Sequence, residues 1–192
     1  MNDAKETQRA ELHKTIWRIA NDLRGSVDGW DFKTYVLGML FYRFISENLA
    51  GYLNEQERKA GHKNFDYAGL SDKDAKRGRE TTIGEKGFYI LPSQLFFNVR
   101  RRAHQDANLN ETLAKVFKAI EGSANGTDSE DALKGLFDDL DVNSAKLGPT
   151  VAKRNEKLVK LLDAIGDLPL CSVAGASIDL FGDASEYLMQ MY

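Results

Sequence analysis

The segment from Phe32 to Leu53 most constrains the fold of this chain, because its apolar residues are too numerous for a single surface stripe. They are Phe32, Tyr35, Val36, Leu37, Met39, Leu40, Phe41, Phe44, Ile45, Leu49, Tyr52 and Leu53. A helix that meets water on one side carries apolar residues on only one face, so this helix should be buried on most sides. It opens after Asp28, whose carboxylate can cap it, with Asp31 near the positive end of the helix dipole. We therefore expect a central helix around which the others pack.

Apolar residues recur at helical spacing in further segments, which predicts an all-α bundle of about seven helices. Besides the central helix, the predicted helices cover residues 7–23, 92–106, 108–122, 129–140, 151–166 and 178–192. Asn108 and Glu111 have the spacing of a capping box. Between Gly61 and Gly87 charges and glycines replace the pattern, which predicts a long polar loop. "GFYILP" (87–92) is expected to be a short extended segment, with Pro92 opening the next helix.

The sequence offers no catalytic, cofactor-binding or metal-binding motif. Its sixteen glycines never stand two positions apart, which excludes every G-x-G nucleotide loop. Cys171 is the only cysteine, and His13, His62 and His104 are too far apart for a zinc pattern. A cluster of acids lacks the calcium-loop pattern and is better explained by helix starts and a solvated face. Its members are Asp128, Glu130, Asp131, Asp138, Asp139 and Asp141.

Positive charge is concentrated in one part of the chain. The overall net charge of −3 argues against a free-standing nucleic-acid-binding protein, but residues 71–104 carry +4 and the remainder carries −7. The candidate DNA contacts are Lys76, Arg77, Arg79, Arg100, Arg101 and Arg102. Three consecutive arginines spread around a helix and cannot share one ion pair. Two interpretations stay open: a patch that contacts phosphates, or a solvated face paired with the protein's own acids.

No apolar run approaches the length of about 20 residues that crosses a bilayer. The N-terminus is charged from its start and has no apolar signal segment. We expect a cytoplasmic protein without membrane contact.

Four segments, in order, resemble the N-terminal helical region of the DNA methyltransferase, or modification, subunit of type I restriction–modification systems. The first is "IWRIANDLRGSVDGWDFKTYVLGMLFYRFISENL" (16–49), with the family's Leu-Arg-Gly, Val-Leu-Gly and Phe-Ile-Ser elements. "GFYILPSQLFFNV", "DVNSAKLGPTVAKRNEKLVKLLDAIGDLPL" and "DLFGDASEYLM" follow. Ser185 departs from the pattern, since the family often has an aromatic residue there. The resemblance implies a helical domain over residues 1–175 and a helix over 176–192 that leads to a catalytic domain.

In that family the following domain is a Rossmann-like sheet that binds S-adenosylmethionine through a Phe-x-Gly-x-Gly turn. It flips adenine into a pocket with Asn-Pro-Pro-Phe or Asn-Pro-Pro-Tyr. Neither motif occurs here, so we expect Tyr192 to lie just before that domain and this part to have no activity of its own.

For the parent enzyme the resemblance implies methyl transfer to adenine N6 in a bipartite DNA site. Its implied partners are DNA, a specificity subunit, a second modification subunit and restriction subunits. This part would clamp DNA and contact other subunits. The alternative is a self-contained helical adaptor or regulator without a role in methylation.

Overall fold

The computed structural model describes residues 32–138 and 140–167, with isolated positions at 3, 6, 7, 10, 11, 13, 14 and 18. Its α-helices are α1 Phe32–Lys59, α2 Asp72–Ala75, α3 Arg79–Lys86, α4 Phe96–Ala103, α5 Leu109–Ser123, α6 Glu130–Phe137 and α7 Val151–Gly166. Short 3-10 turns occupy Tyr67–Gly69, Lys76–Gly78, Pro92–Gln94 and Ala145–Leu147. These ranges contain no strand, which confirms the all-α prediction. Most of the predicted helix 7–23, Cys171 and the predicted helix 178–192 lie outside the described residues.

Helix α1 is the buried central helix that its composition predicts. Met39, Tyr42 and Leu49 are wholly inaccessible to solvent, and α1 packs on α4, α6 and α7. The ring of Tyr42 meets those of Phe96 and Phe117 edge-on at centroid distances of 5.4 and 5.3 Å. Its hydroxyl donates a hydrogen bond to the Gln94 carbonyl. Aromatic edge contacts of this kind add to the energy of burial, so α1 fixes the helices around it.

The long polar loop predicted between Gly61 and Gly87 is instead mostly helical. Asp66 accepts a hydrogen bond from the amide of Ala68 at 3.2 Å, and Ser71 caps α2 by accepting one from Asp74 N at 3.1 Å. Tyr67 is buried, and its hydroxyl donates to the Ile90 carbonyl at 2.6 Å. Side-chain caps and a buried tyrosine therefore hold short helices that are too brief to show an apolar period.

The predicted helix at Pro92 begins later than expected. Pro92–Gln94 forms a 3-10 turn, Leu95 is extended at φ −61° and ψ 143°, and the α-helix starts at Phe96. The buried hydroxyl of Ser46 on α1 accepts a hydrogen bond from Phe96 N at 3.1 Å. A side chain distant in sequence thus satisfies the first amide of α4, which local sequence does not reveal. Leu91 is extended, as predicted for a residue before proline.

The predicted capping box at the start of α5 does not form. Asn108 makes no side-chain cap hydrogen bond, and its backbone is not in the extended conformation of a usual N-cap residue. Asn155 Oδ1 on α7 instead accepts a hydrogen bond from the first-turn amide of Asn110 at 3.1 Å, and Asp106 accepts from Asn108 N at 2.9 Å and from the Thr112 hydroxyl at 2.6 Å.

Helix α7 closes the core along the face that its sequence predicts. The apolar residues Leu158, Leu161, Leu162 and Ile165 are all buried, and α7 packs on α1, α4 and α5. The guanidinium of Arg43 on α1 reaches the end of α7 and donates to the Ile165 carbonyl. Arg100 on α4 also reaches this end of α7 and donates to Asp163 and Asp167, so the C-terminal end of α7 lies beside the three consecutive arginines of α4.

Candidate nucleic-acid interface

The three consecutive arginines of α4 have three different environments. Arg100 points to α7, where its Nε donates to Asp163 Oδ1 at 3.2 Å and its Nη2 donates to Asp167 Oδ1 at 2.5 Å. Burial opposes its charge, but the hydrogen bonds to Asp167 and Asp163 raise the pKa of Arg100 above its ordinary value. For Arg100, therefore, the interpretation as an internally paired charge fits the geometry.

Arg102 is exposed and lies over the turn that precedes α4. Its Nη2 donates to the Ser93 carbonyl at 2.6 Å. The amide and hydroxyl of Ser93 donate in turn to the two carboxylate oxygens of Asp72, at 3.0 and 2.6 Å. Arg102 is thus positioned beside α2, and among the described residues this bond uses only one of the five N–H donors that a guanidinium carries.

Lys76 and Arg79 share a groove of about 270 Å³ with the ring of Tyr89. We call it the Tyr89 groove; it is lined by Lys76, Arg79, Tyr89, Leu91, Gln94, Ala119, Gly122 and Ser123. The guanidinium of Arg79 lies 5.9 Å from the centroid of the Tyr89 ring. Both cations are exposed and stand above small residues of α5, so a phosphate can approach them closely.

Gly87 turns the chain from the end of α3 into the extended segment that carries Tyr89. Gly87 ends α3 in the left-handed region at φ +83°, where a Cβ would lie 2.4 Å from the Ser129 hydroxyl oxygen. Only glycine fits this turn without strain. The Tyr89 amide then donates to Ser123 Oγ at 2.9 Å, which fixes the extended segment on α5.

Arg77 and Arg101 lie outside the Tyr89 groove. Arg77 Nη2 lies 3.8 Å from Asp74 Oδ1, and its side chain is 79% exposed. Arg101 lines a second groove of about 460 Å³, which we call the Phe97 groove; its residues are Phe97, Asn98, Arg100, Arg101, His104 and Asp163. The six predicted cations therefore do not form one continuous patch within a single groove. The structure brings Lys76 and Arg79 together in the Tyr89 groove, and Arg100 and Arg101 together in the Phe97 groove.

A third cavity, of about 370 Å³, has no counterpart in the sequence patterns. It lies between the second half of α1 and the short helices, with Leu53, Phe65, Tyr67 and Leu70 among its apolar walls. Burial raises the pKa of Tyr67 and of Tyr89, both of which line it. Its residues come from positions 53–89, and helical spacing gives no sign that they meet.

Two members of the predicted acidic cluster accept hydrogen bonds from the local backbone. Glu130 accepts a hydrogen bond from Gly126 N at 2.9 Å, and Asp141 accepts one from Asn143 N at 2.9 Å. His104 pairs with Asp163 at 2.8 Å. Across residues 32–138 and 140–167 no three His, Cys, Asp or Glu side chains are grouped to hold a metal ion. In the same part of the chain no helix is long and apolar enough to span a membrane.

Comparison with known proteins places this helical fold in a family. Residues 12–165 match the HsdM N-terminal domain. The chain belongs to this family. The match includes α1 to α6 and α7 through Ile165, so the HsdM N-terminal domain and the helical bundle coincide over most of their length.

Relatives of this HsdM N-terminal domain are larger proteins. The chain is 45% identical over 201 residues to the type I restriction enzyme MpnII methylase subunit of Mycoplasma pneumoniae, covering 100% of the chain and 36% of that protein. It also resembles the crystal structure of a type I restriction-modification system methyltransferase subunit from Streptococcus thermophilus, with a TM-score of 0.71 and 26% identity. That match covers 95% of the chain and 38% of the solved one. The chain thus spans little more than a third of these relatives.

Two residues of the Val-Leu-Gly and Phe-Ile-Ser motifs have structural roles in this HsdM N-terminal domain. Gly38, from Val-Leu-Gly, lies against Leu140, whose Cδ2 would be 2.9 Å from an added Cβ. Ser46, from Phe-Ile-Ser, caps α4 through the Phe96 amide. Both motif positions therefore serve packing around α1.

Proposed function

We propose that the chain is the N-terminal helical domain of a type I modification subunit, with residues 1–175 as the domain and 176–192 leading onward. The parent enzyme would transfer a methyl group from S-adenosylmethionine to adenine N6 in a bipartite DNA site. The family match and the names of the two relatives support this proposal. They do not favour the alternative of a self-contained helical adaptor.

The methyl donor does not fit the part of the chain that the structure describes. Residues 32–138 and 140–167 contain no strand, and such cofactors bind in the crevice at the carboxyl ends of parallel strands. We therefore assign the chemistry to the remaining two thirds of a protein as long as these relatives. In the parent enzyme, a specificity subunit, a second modification subunit and restriction subunits would be the partners, acting on DNA in the cytoplasm.

The work of this domain would be to hold the DNA backbone while a base is flipped. Flipping costs a few kcal/mol, and additional phosphate contacts stabilise the distorted duplex. The observation that carries this role is the meeting of Lys76 and Arg79 above the small residues of α5. Arg102 and Arg77, both exposed, are further candidate contacts outside this groove. Arg100 contributes less because Asp163 and Asp167 already hold its guanidinium.

The test uses the full-length modification subunit assembled with its specificity subunit. Lys76→Ala combined with Arg79→Ala should weaken binding to cognate and unrelated duplexes by similar factors. The slope of log K against log salt should become shallower by about 0.9 for each phosphate contact removed.

Arg58→Ala combined with Lys59→Ala is the matched control. It removes the same charge from the last turn of α1, where both side chains face Glu55. An unchanged slope in the Lys76/Arg79 variant, or an equal change in the control, would refute a specific phosphate role for this groove. Absence of methyl transfer by the wild-type complex would refute the enzymatic proposal separately.

A further inference from the structure

The third cavity, which we call the Tyr67 cavity, has a largely apolar interior. Four of its lining residues are at most 6% exposed: Tyr67, Ala75, Thr82 and Tyr89. Three partly buried apolar side chains complete the walls: Leu53, Phe65 and Leu70. Its volume of about 370 Å³ lies near the lower end of the range of binding pockets. The cavity therefore has room for a large apolar side chain or a molecule of similar size.

Hydrogen bonds hold the walls of the Tyr67 cavity in place. The Tyr67 amide donates to Asn54 Oδ1 on α1 at 2.8 Å, and the Tyr67 hydroxyl donates to the Ile90 carbonyl at 2.6 Å. On α3 the hydroxyl of Thr82 donates to the Gly78 carbonyl at 2.8 Å. Because these walls are fixed before a ligand arrives, binding in the cavity costs little conformational entropy.

The charged residues that line the Tyr67 cavity are acidic. Glu57, Asp74 and Glu85 line it, and no lysine or arginine is among the described residues that do so. Glu57 lies 2.6 Å from the ring of His62, which carries a charge only when protonated. Glu85 accepts a hydrogen bond at 2.8 Å from the hydroxyl of Tyr52, a neutral partner. The rim is therefore negative and leaves these carboxylates incompletely countered.

The short helices carry opposite charges on their two sides. Lys76 and Arg79 line the Tyr89 groove, whereas Asp74 lines the Tyr67 cavity, and Tyr89 is a wall of both. Arg77 Nη2 lies 3.8 Å from Asp74 Oδ1, but both side chains are more than half exposed, so screening weakens this attraction. A negative rim repels phosphates and attracts cations. The cavity side therefore suits a cationic ligand and not nucleic acid.

We propose that the Tyr67 cavity is a docking site for a partner protein, in a segment where lysine or arginine flanks a large apolar side chain. The apolar side chain fills the interior, and the flanking cations lie on Glu57, Asp74 and Glu85. An aromatic or other large anchor in a pocket with a polar rim is the usual anatomy of an interface hot spot. This docking is independent of the DNA contact proposed for the Tyr89 groove.

Titration of the 192-residue chain with short peptides tests the docking. The probe is acetylated and amidated Lys-Lys-Phe-Lys-Lys, and the amide signals of Leu53, Ala75 and Thr82 are followed by NMR. We expect saturable shifts of these signals at millimolar peptide. Replacing the peptide's Phe by Ser should weaken binding at least about tenfold, because an anchor residue supplies most of the binding energy. No shift with the Phe peptide, or equal binding of Glu-Glu-Phe-Glu-Glu, would overturn the proposal.

Variants of the chain test the interior and the rim separately. Ala75→Leu places a larger side chain in the interior and should abolish the shifts. Glu57→Gln combined with Glu85→Gln keeps the shape of the rim, and should weaken binding and reduce its dependence on salt. The matched control is Glu111→Gln combined with Glu156→Gln, which neutralises two exposed acids elsewhere. An equal loss in this control would show unspecific charge attraction and overturn the proposal.

Two further measurements identify other occupants. Phenethylammonium carries an aromatic ring and a cation but no peptide backbone. Binding of this amine as tightly as the Phe peptide would make the cavity a small-molecule site and overturn the proposal. Shifts of the same amide signals on dilution of the chain alone would show that a second copy occupies the cavity, which would also overturn it.

Discussion

Arg43 and Ile165 lie 122 positions apart and are joined by a hydrogen bond of 2.5 Å from the arginine Nη1 to the isoleucine carbonyl. The Nε of the same guanidinium donates to Glu47 at 2.9 Å. The guanidinium donates to a carbonyl in the last turn of α7, where the regular helical hydrogen bonds have ended. One buried side chain on α1 thereby joins α1 to α7, and its guanidinium also lies 5.1 Å from the centroid of the Phe97 ring on α4.

We expect Arg43→Met to lower the free energy of unfolding by about 3 kcal/mol, since removing one member of a buried, hydrogen-bonded pair leaves the others unsatisfied. Chemical denaturation of the 192-residue chain measures the loss. Arg58→Met is the control, because Arg58 is 62% exposed in its pair with Glu55 and solvent screening leaves such a surface pair little effect on stability. Similar losses in both variants would contradict the anchoring role of Arg43.

Two glycines of α1 should respond oppositely to substitution. Nothing lies within 4 Å of a Cβ added at Gly51, so Gly51→Ala should stabilise the fold by about 1 kcal/mol through helix propensity. At Gly38 the added atom meets Leu140 Cδ2 at 2.9 Å, and Gly38→Val should destabilise by roughly 1–3 kcal/mol through overpacking. Thermal unfolding of both variants checks this, and a stabilised Gly38→Val would show that Leu140 yields readily.

Glu121 should make stability depend on pH in the acid range. Burial, with Asp138 adding, raises its pKa above the ordinary value of 4.5. The folded protein therefore holds this proton at a pH where the unfolded chain has lost it, and stability falls as pH rises from the ordinary pKa through the raised one. Glu121→Gln should be more stable than the wild type at pH 7, with the advantage vanishing below pH about 4. Urea unfolding of both proteins from pH 3 to 7 measures this advantage. A difference in the free energy of unfolding that stays constant over this range would contradict the raised pKa of Glu121 as its cause.

Substitution of Arg100 should lower stability and leave DNA binding unchanged, in contrast to substitution of Lys76 and Arg79 in the Tyr89 groove. Arg100→Ala removes two contacts to α7 and should cost about 1 kcal/mol of folding free energy, because the acids that it meets are partly exposed. The salt dependence of DNA binding by the assembled enzyme should stay as in the wild type. A slope reduced as much as in the Lys76/Arg79 variant would place Arg100 on a phosphate instead.

The parts of the fold that can be predicted from sequence are the helices whose buried apolar residues recur at a regular spacing along the chain. Helix α1, α5 and α7 show their buried faces directly, because each is long enough for the apolar spacing to repeat. The helices between residues 61 and 87 lack that repeat and depend on distant partners, such as the contact of Tyr67 with Ile90. Helix α4 starts at Phe96 because the hydroxyl of Ser46, 50 residues earlier, accepts a hydrogen bond from the Phe96 amide.

The candidate interface was predictable as a set of charges but not as a surface. Composition located the positive region, and residue spacing placed the three arginines on one helix. Whether a guanidinium is available depends on acids far along the chain; Asp163 lies 63 positions after Arg100. The Tyr89 groove likewise joins residues of α3 and α5 through an extended segment. Such pairings come from packing, which no local pattern encodes.

The burial of α1 against α7 has a consequence for synthesis on the ribosome. When Arg43 emerges, the carbonyl that completes its surroundings is still 122 residues away. At about 5–20 residues per second, roughly 6 to 24 s pass before the end of α7 is synthesised. During that time the apolar residues of α1 that pack on α7 remain exposed. Nascent copies must therefore be shielded from one another during that interval, and crowded polysomes are where this sequence would first aggregate.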